Sequence, residues 1–142
     1  MTRTIIVCIA LIAPAACGGG SPASPTPTTV DVAGAWTGTW TFSAAGAAIT
    51  DTATLTVNQN GASAAGPWSA GSGPGGQVTF TATPTFSGTI SVSQILLSGQ
   101  VCSASTSVTG TASTTRVAFT LGTLPTAGLC QWATNQQFVF TR

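Results

Sequence analysis

The chain has very few ionisable side chains. It contains three basic and two acidic residues in 142, and it has no histidine, lysine, glutamate or tyrosine. General acid–base catalysis needs a group that titrates near the working pH, most often a histidine or a carboxylate. Metal sites need clustered histidine, cysteine or carboxylate ligands. We therefore predict a protein that is not an enzyme and that has no catalytic residue, no metal site and no cofactor.

The shortage of basic residues also argues against a nucleic-acid partner. Binding to nucleic acid depends on a basic surface that neutralises phosphates. After the N-terminal region only Arg116 and Arg142 carry positive charge, which is too little for such a surface. Threonine instead alternates with other residues along much of the chain. A β-branched residue with a hydroxyl suits the solvent face of a strand, so threonine takes the place of lysine and glutamate.

The N-terminus has the features of an export signal. Arg3 precedes an apolar run from Ile5 to Ile12, and the small residues of Pro14-Ala15-Ala16 follow. This order is typical of a signal peptide. The apolar run is much shorter than the roughly 20 residues that a permanent membrane-spanning helix requires. We expect residues 1–16 to be removed, together with Cys8.

The residues around Cys17 suggest a lipid anchor. Ala15-Ala16-Cys17-Gly18 resembles the lipobox of bacterial lipoproteins. The resemblance implies that Cys17 becomes the first residue and carries a diacylglycerol and an amide-linked chain such as palmitate; two or more chains make a stable anchor. Gly18 after the cysteine is similar to lipoproteins sorted to the Gram-negative outer membrane, on its periplasmic or cell-surface side. An ordinary secretory signal with an incidental cysteine remains the alternative.

A change in composition separates a tether from a folded domain. Residues 17–29 are rich in glycine, serine and proline and contain no large apolar side chain, which is typical of a solvated linker. From residue 30 to 142 apolar residues recur at every second position, as in half-buried strands. Trp36, Trp40 and Phe42, for example, alternate with threonines.

The pattern predicts one all-β domain over residues 30–142, with about eight short strands in meander order. Such a set suits a single antiparallel up-and-down β-barrel with its core inside. With so little surface charge, unpaired strand edges would favour aggregation, and this also favours a closed sheet. An immunoglobulin-like β-sandwich is the alternative, because it fits the size and the number of strands.

The dipeptide Asn60-Gly61 predicts a tight hairpin, because a type I′ turn needs positive φ at both central residues. With these two residues as the loop, Leu55 faces Gly66 and Ala53 faces Trp68 across the strands. Large and small side chains then alternate on the buried face.

Three further segments are irregular. Pro67 cannot donate to a ladder and predicts a bulge or an unpaired position. The alternation slips at Ser93-Gln94, which predicts a bulge or turn there. Gly71–Gly76 matches G-x-G-x-x-G, but a strand rather than a helix follows it, so we interpret it as a hairpin loop and not as a phosphate site.

The opening Gly34-Ala35-Trp36 resembles the first strand of lipocalins and avidin-like proteins. The resemblance implies a barrel that binds a small apolar ligand in its interior. The alternative is a barrel filled by its own side chains, with no cavity. The residues that would line a ligand site are the aromatic ones on the inward faces: Trp36, Trp40, Phe42, Trp68 and Phe80.

Two cysteines lie in the predicted domain. Cys102 and Cys130 form an even pair in an exported chain, which predicts a structural disulfide that stabilises the fold by roughly 3–4 kcal/mol. Trp132 is expected to pack on that disulfide or to cover one barrel mouth. The predicted function is that of a membrane-anchored envelope lipoprotein that binds a small apolar ligand or an envelope protein. The alternative is a structural or adhesive surface lipoprotein with a solid barrel.

Overall fold

The computed structural model describes residues 24–142 apart from positions 45, 72, 96–98, 100 and 123–133. The described chain is built from strands and turns, and none of it forms a helix long and apolar enough to cross a bilayer. The strands are β1 (Gly34–Ala44), β2 (Ala47–Asn60), β3 (Ser63–Ala70), β4 (Gly75–Thr81), β5 (Thr85–Ile95), β6 (Val101–Ala112), β7 (Arg116–Leu121) and β8 (Thr134–Thr141).

The strands form one closed barrel. Each strand pairs antiparallel with the next in the sequence, and β1 closes the sheet by pairing with β8. This confirms the predicted up-and-down barrel, and the alternative of an immunoglobulin-like sandwich is wrong. Closure pairs the two edge strands, β1 and β8, with each other. An unpaired edge would favour aggregation, because the surface has almost no charge to repel neighbouring molecules.

The two ends of the barrel differ. We call the end with the β2–β3, β4–β5 and β6–β7 turns the proximal end, because the chain enters β1 there from residues 30–33. The other end, where β1–β2, β3–β4, β5–β6 and β7–β8 are connected, is the distal end. Residues 24–29, which precede the entry, are exposed and form no strand.

The predicted alternation of faces is confirmed in the structure. On β1, Trp36 and Trp40 are buried, and Thr37 and Thr39 are exposed. The outward hydroxyls bond to one another across strands, as between Thr54 and Ser69 at 2.9 Å. Threonine and serine therefore coat the barrel and replace charged side chains as its solvent-facing groups. The buried residues of the inward face are Trp36 and Trp40 of β1, Ala53, Leu55 and Val57 of β2, Ala64, Trp68 and Ala70 of β3, Val78 and Phe80 of β4, Phe86, Ile90 and Val92 of β5, Cys102, Val108 and Ala112 of β6, Val117, Phe119 and Leu121 of β7, and Gln136, Phe138 and Phe140 of β8.

The hairpin between β2 and β3 forms, but its predicted register is wrong by two residues. Asn60 pairs with Ser63, so the loop is Gly61-Ala62, and Leu55 rather than Ala53 faces Trp68. Gly61 has φ +58°, and both common two-residue hairpin turns, types I′ and II′, need a positive φ at the first central position. The slip is an even number of residues, so every side chain keeps its predicted face.

Of two predicted irregularities in the strands, the one at Pro67 is found and the one at Ser93-Gln94 is not. The β2–β3 pairing is interrupted opposite Gly66 and Pro67, as predicted from the missing proline donor. The predicted bulge at Ser93-Gln94 is wrong, because β5 pairs with β6 without a shift as far as Ile95 and Val101. Gln94 keeps the inward position and is only half-buried. The polar residue at this inward position therefore marks the end of the barrel and not a break in the strand.

Inward glycines lie beside the phenylalanine rings. Gly38 pairs with Phe140, Gly88 with Phe80, and Gly110 with both Phe86 and Phe119. A Cβ on Gly110 would lie 2.6 Å from Cζ of Phe86 and 2.2 Å from the carbonyl oxygen of Ala118. The missing side chains leave the room into which the rings fold, so large and small residues alternate across the core.

Candidate functional site

The interior of the barrel holds a connected group of aromatic rings. Phe138 is at its centre, with ring centroids at 6.3 Å from Trp40, 4.8 Å from Trp68 and 4.9 Å from Phe119. Phe119 continues the contacts to Phe86 at 6.4 Å. These distances fall within or close to the range of favourable aromatic pairs. The ring cluster consists of Phe42, Trp40, Phe138, Trp68, Phe119, Phe140, Phe86 and Phe80.

The three described indoles all use their N–H groups within the protein. Trp36 Nε1 donates to the carbonyl of Val32 at 2.9 Å, and Trp68 Nε1 donates to the carbonyl of Ser91 at 3.1 Å. Trp40 Nε1 donates to Oε1 of Gln136 at 3.2 Å. A buried indole N–H without an acceptor is costly, so these bonds fix each ring in its place.

Four of the five predicted lining residues belong to the ring cluster. Trp40, Phe42, Trp68 and Phe80 join it through direct contacts or through Phe138, Phe119 and Phe86. Trp36 is buried at the proximal end, and its ring contact is with Arg142. Four of the predicted lining residues therefore lie in the core cluster, and Trp36 helps to close the proximal end.

The ring cluster reaches the distal end at Phe42. This ring stacks on Trp40 at 4.3 Å and is only half-buried. Ile49 pairs with Phe42 in register, continues the inward side of β2, and is 43% exposed. Phe42 and Ile49 thus form an apolar rim, which we call the distal rim.

The proximal end is closed by the chain segment that enters β1. Val32 is fully buried, and its N–H donates to Oε1 of Gln59 at 2.7 Å. The Nε2 group of Gln59 donates to the carbonyl of Val30 at 2.9 Å. The N–H of Val30 donates to the carbonyl of Ala82 at 2.8 Å. Residues 30–33 are therefore held across the proximal end by hydrogen bonds to β2 and to the β4–β5 turn.

Arg142 fastens the same segment from the other side. Its Nη1 donates to the carbonyl of Ala33 at 2.6 Å and its Nη2 to that of Asp31 at 3.0 Å. Its Nε donates to the carbonyl of Thr114 at 2.7 Å, and its guanidinium lies over Trp36 at 4.5 Å. The planar guanidinium thus joins the chain entry, the β6–β7 turn and an indole face.

The remaining charged groups do not meet. Asp51 is paired in register with Trp40 towards the distal end, and its carboxylate accepts from the N–H of Thr52 at 2.7 Å. Arg116 begins β7 at the proximal end. Within the described residues no group of three or more His, Cys, Asp or Glu side chains could hold a metal ion.

A groove of about 270 Å³ lies on the outer face of β6, β7 and β8. Its floor includes two small, half-buried side chains, Ala118 and Val139, which are register partners. Arg116 lies on the proximal side of this floor, and Thr120 and Gln137 lie on the distal side. The lining residues are Thr109, Gly110, Thr111, Arg116, Ala118, Phe119, Thr120, Gln137, Phe138 and Val139.

The polar side chains of this outer groove are available to a ligand. Within the described part of the chain, no side-chain hydrogen bond engages Thr109, Thr111, Thr120 or Gln137. Elsewhere on the barrel surface some neighbouring hydroxyls bond to each other, as Thr41 does with Thr50 at 3.0 Å.

The cysteine predictions fall mostly outside the described residues. Cys17 and Cys130, and Trp132, lie outside them, so the lipid anchor and the disulfide stay predictions. Cys102 is described: it lies near the start of β6 at the distal end, faces inward and is buried.

Comparisons with protein-family models, with curated proteins and with solved structures found no match. The structure shows the eight-stranded barrel, and the resemblance to lipocalins and avidin-like proteins stays a prediction.

Three features of the site were missed in the sequence. Gln136 has the inward position two residues before Phe138, and this spacing could have marked it as a buried partner for an indole. Arg142 and Gln59 close the proximal end through contacts that no local pattern reveals. The outer groove depends on which residues of three strands become neighbours.

Proposed function

We propose that this chain is an exported, lipid-anchored envelope protein whose barrel is a solid, non-enzymatic module with a structural or adhesive role. The observation that carries the proposal is the ring cluster, in which Phe138 contacts Trp40, Trp68, Phe119 and Phe140 across the barrel. Side chains that fill the interior leave the outer surface as the part that meets partners. That surface is coated with threonine and serine, and its partner would be another component of the envelope.

The geometry at the proximal end supports a role for residues 17–29 as a tether. The chain enters the barrel through Val30 and Val32, and hydrogen bonds from Gln59 and Arg142 hold this entry. A tether from Cys17 would therefore leave from the proximal end. The proximal end would face the membrane, and the distal rim would face away from it.

The anchor can be tested with two cysteine variants. Cells that express the full chain are fed an alkyne-bearing palmitate, and the purified protein is examined for the label. We expect Cys17→Ser to abolish labelling and to release the protein from membranes. Cys8→Ser is the matched control, because Cys8 lies in the predicted leader, and it should leave both properties unchanged.

The sorting prediction has a separate test. Gly18→Asp should move the protein from the outer to the inner membrane fraction of a Gram-negative host, with labelling retained. Unlabelled wild-type protein, or a Cys17→Ser variant that stays on membranes, would overturn the proposed anchor. Labelled Gly18→Asp protein that stays in the outer membrane would overturn only the sorting prediction.

We propose a structural disulfide between Cys102 and Cys130 as part of the same account. Cys102 is buried at the distal end, and β7 and β8 are joined at that end by the connection that contains Cys130. A bond between them would tie this connection to β6. Intact mass measured before and after reduction, with free thiols alkylated, should differ by the two protected cysteines.

A second candidate function is the binding of a small apolar ligand at the distal rim. It is favoured by the half-buried Phe42 ring stacked on Trp40 and by the exposed Ile49 opposite. A flat apolar molecule could extend this stack outwards without entering the barrel.

The rim can be probed with N-phenyl-1-naphthylamine, a neutral dye that becomes fluorescent in apolar surroundings. If the rim binds ligands, Ile49→Ser should weaken dye binding several-fold. Val101→Ser is the control, because Val101 is also exposed at the distal end but points to the outer side of β6. Equal binding by both variants and by the wild type would exclude the rim as a ligand site.

A further inference from the structure

We propose that the outer groove on β6, β7 and β8 binds a sugar that carries a carboxylate, such as a uronic acid residue of an envelope glycan. Its volume of about 270 Å³ is close to the lower end, near 300 Å³, of pockets that hold drug-sized ligands. A site of this size suits one sugar ring. The proposal does not depend on the lipid anchor.

The order of side chains across the groove matches the chemistry of a sugar acid. Ala118 and Val139 pair in register and form an apolar strip on which the C–H face of a ring can rest. Thr120 pairs with Gln137 in the next outward row on the distal side. Their hydroxyl and amide groups can exchange hydrogen bonds with the hydroxyls of a sugar. The floor and the distal side alone would accept a neutral sugar.

Arg116 gives the groove its preference for an acid. It begins β7 on the proximal side of the floor, two residues before Ala118, and its side chain is exposed. Within the described residues the guanidinium makes no hydrogen bond and no ion pair, unlike that of Arg142, which holds the chain entry and the β6–β7 turn. A guanidinium matches the two oxygens of a carboxylate in a bidentate pair.

The polar groups of the groove are not used in hydrogen bonds to other side chains of the described residues. Some outward hydroxyls on β1, β2 and β3 bond to each other, as in the pairs Thr41–Thr50 and Thr54–Ser69. In the groove Thr109, Thr120 and Gln137 are register neighbours in one outward row, and Thr111 pairs with Ala118 in the next row; no side-chain hydrogen bond joins these groups within the described residues. The groove thus combines unused donors and acceptors with the guanidinium of Arg116.

The experiment is an NMR titration of the ¹⁵N-labelled full chain with galacturonate, galactose and inorganic phosphate at millimolar concentrations. We expect galacturonate to shift the backbone amides of Thr111, Ala118 and Val139, and galactose to shift the same amides with about tenfold weaker affinity. The factor of ten corresponds to the loss of one charge-assisted pair. Phosphate should have little effect, because it has no apolar face that could pack on Ala118 and Val139.

Two variants and one control complete the test. Arg116→Gln should reduce galacturonate affinity to that of galactose, and Ala118→Leu should block both sugars by filling the floor. Ala65→Leu makes the same change at another outward, half-buried strand position, on β3 and outside the groove, and should bind as the wild type does.

Four outcomes would overturn the proposal. One is the absence of shifts at the groove with either sugar, and another is shifts confined to other parts of the barrel. The third is equal binding of phosphate and galacturonate with none of galactose, which would mean a simple anion site on Arg116. Loss of binding in Ala65→Leu would likewise remove the groove as the explanation.

Discussion

The guanidinium of Arg142 lies 4.5 Å from the ring centroid of Trp36, so one of the last side chains of the barrel covers one of the first. The same guanidinium donates to three carbonyls, two of them in the segment that enters β1. The barrel is therefore closed twice, once by the pairing of β1 with β8 and once by this clamp at the proximal end.

Removal of the clamp should destabilise the barrel. We expect Arg142→Ala to lower the free energy of unfolding by about 1–3 kcal/mol, because hydrogen bonds from a charged donor are lost from the chain entry. Urea denaturation followed by tryptophan fluorescence would measure the change. Arg116→Ala is the control: it removes an exposed guanidinium with no partner among the described residues, and should change stability by less than about 0.5 kcal/mol. Equal effects would contradict the clamp.

The glycine at position 110 should be intolerant of a side chain. Gly110→Ala would place a Cβ 2.6 Å from Cζ of Phe86 and 2.2 Å from a carbonyl oxygen. Overpacking of this kind costs about 1–3 kcal/mol or more. Gly73→Ala is the comparison, since its nearest neighbour would be at 3.3 Å. Thermal unfolding of both variants should show a clear loss for Gly110→Ala only. A Gly110→Ala protein as stable as the wild type would mean that the rings do not fold over this position.

Loss of a ring should destabilise the protein more at the centre of the ring cluster than at the distal rim. Phe138→Ala removes a fully buried ring with four aromatic neighbours and should cost about 3–5 kcal/mol. Phe42→Ala removes a half-buried ring at the distal rim and should cost about 1–2 kcal/mol, because less surface leaves contact with the core. Denaturant unfolding would rank the two. A larger cost for Phe42→Ala would contradict the packing described for the interior.

The proposed disulfide predicts a particular pattern among cysteine variants. Cys102→Ala, Cys130→Ala and the double variant should each lose about 3–4 kcal/mol, because any one of them opens the same loop. The reduced wild type should fall to the same stability. Additive losses in the double variant would indicate two separate contributions and no shared bond.

Much of the fold follows from alternation in the sequence, and the remainder follows from contacts between distant residues. Period-2 patterns assigned the inward faces, since residues two apart, such as Trp40 and Phe42, share a face on a strand but not on a helix. The β2–β3 register was not fixed by that pattern, because a slip of two residues leaves Leu55 and Trp68 on the same face.

Contacts at the ends of the barrel were beyond local patterns. Arg142 reaches residues that precede it by more than 100 positions in the sequence. Gln94 looked like a break because polar residues are rare inside a barrel, whereas at the end of a strand water can reach them. The outer groove required knowledge of which residues on β7 and β8 are register partners.

The most direct test of the account is the intact mass of the protein purified under native conditions from the membranes of its own host. We predict a chain that begins at Cys17, carries the mass of its acyl chains and retains no bound small molecule. A chain that still contains residues 1–16 without acylation would contradict the anchor. A small molecule that remains bound until the barrel unfolds would contradict a solid interior.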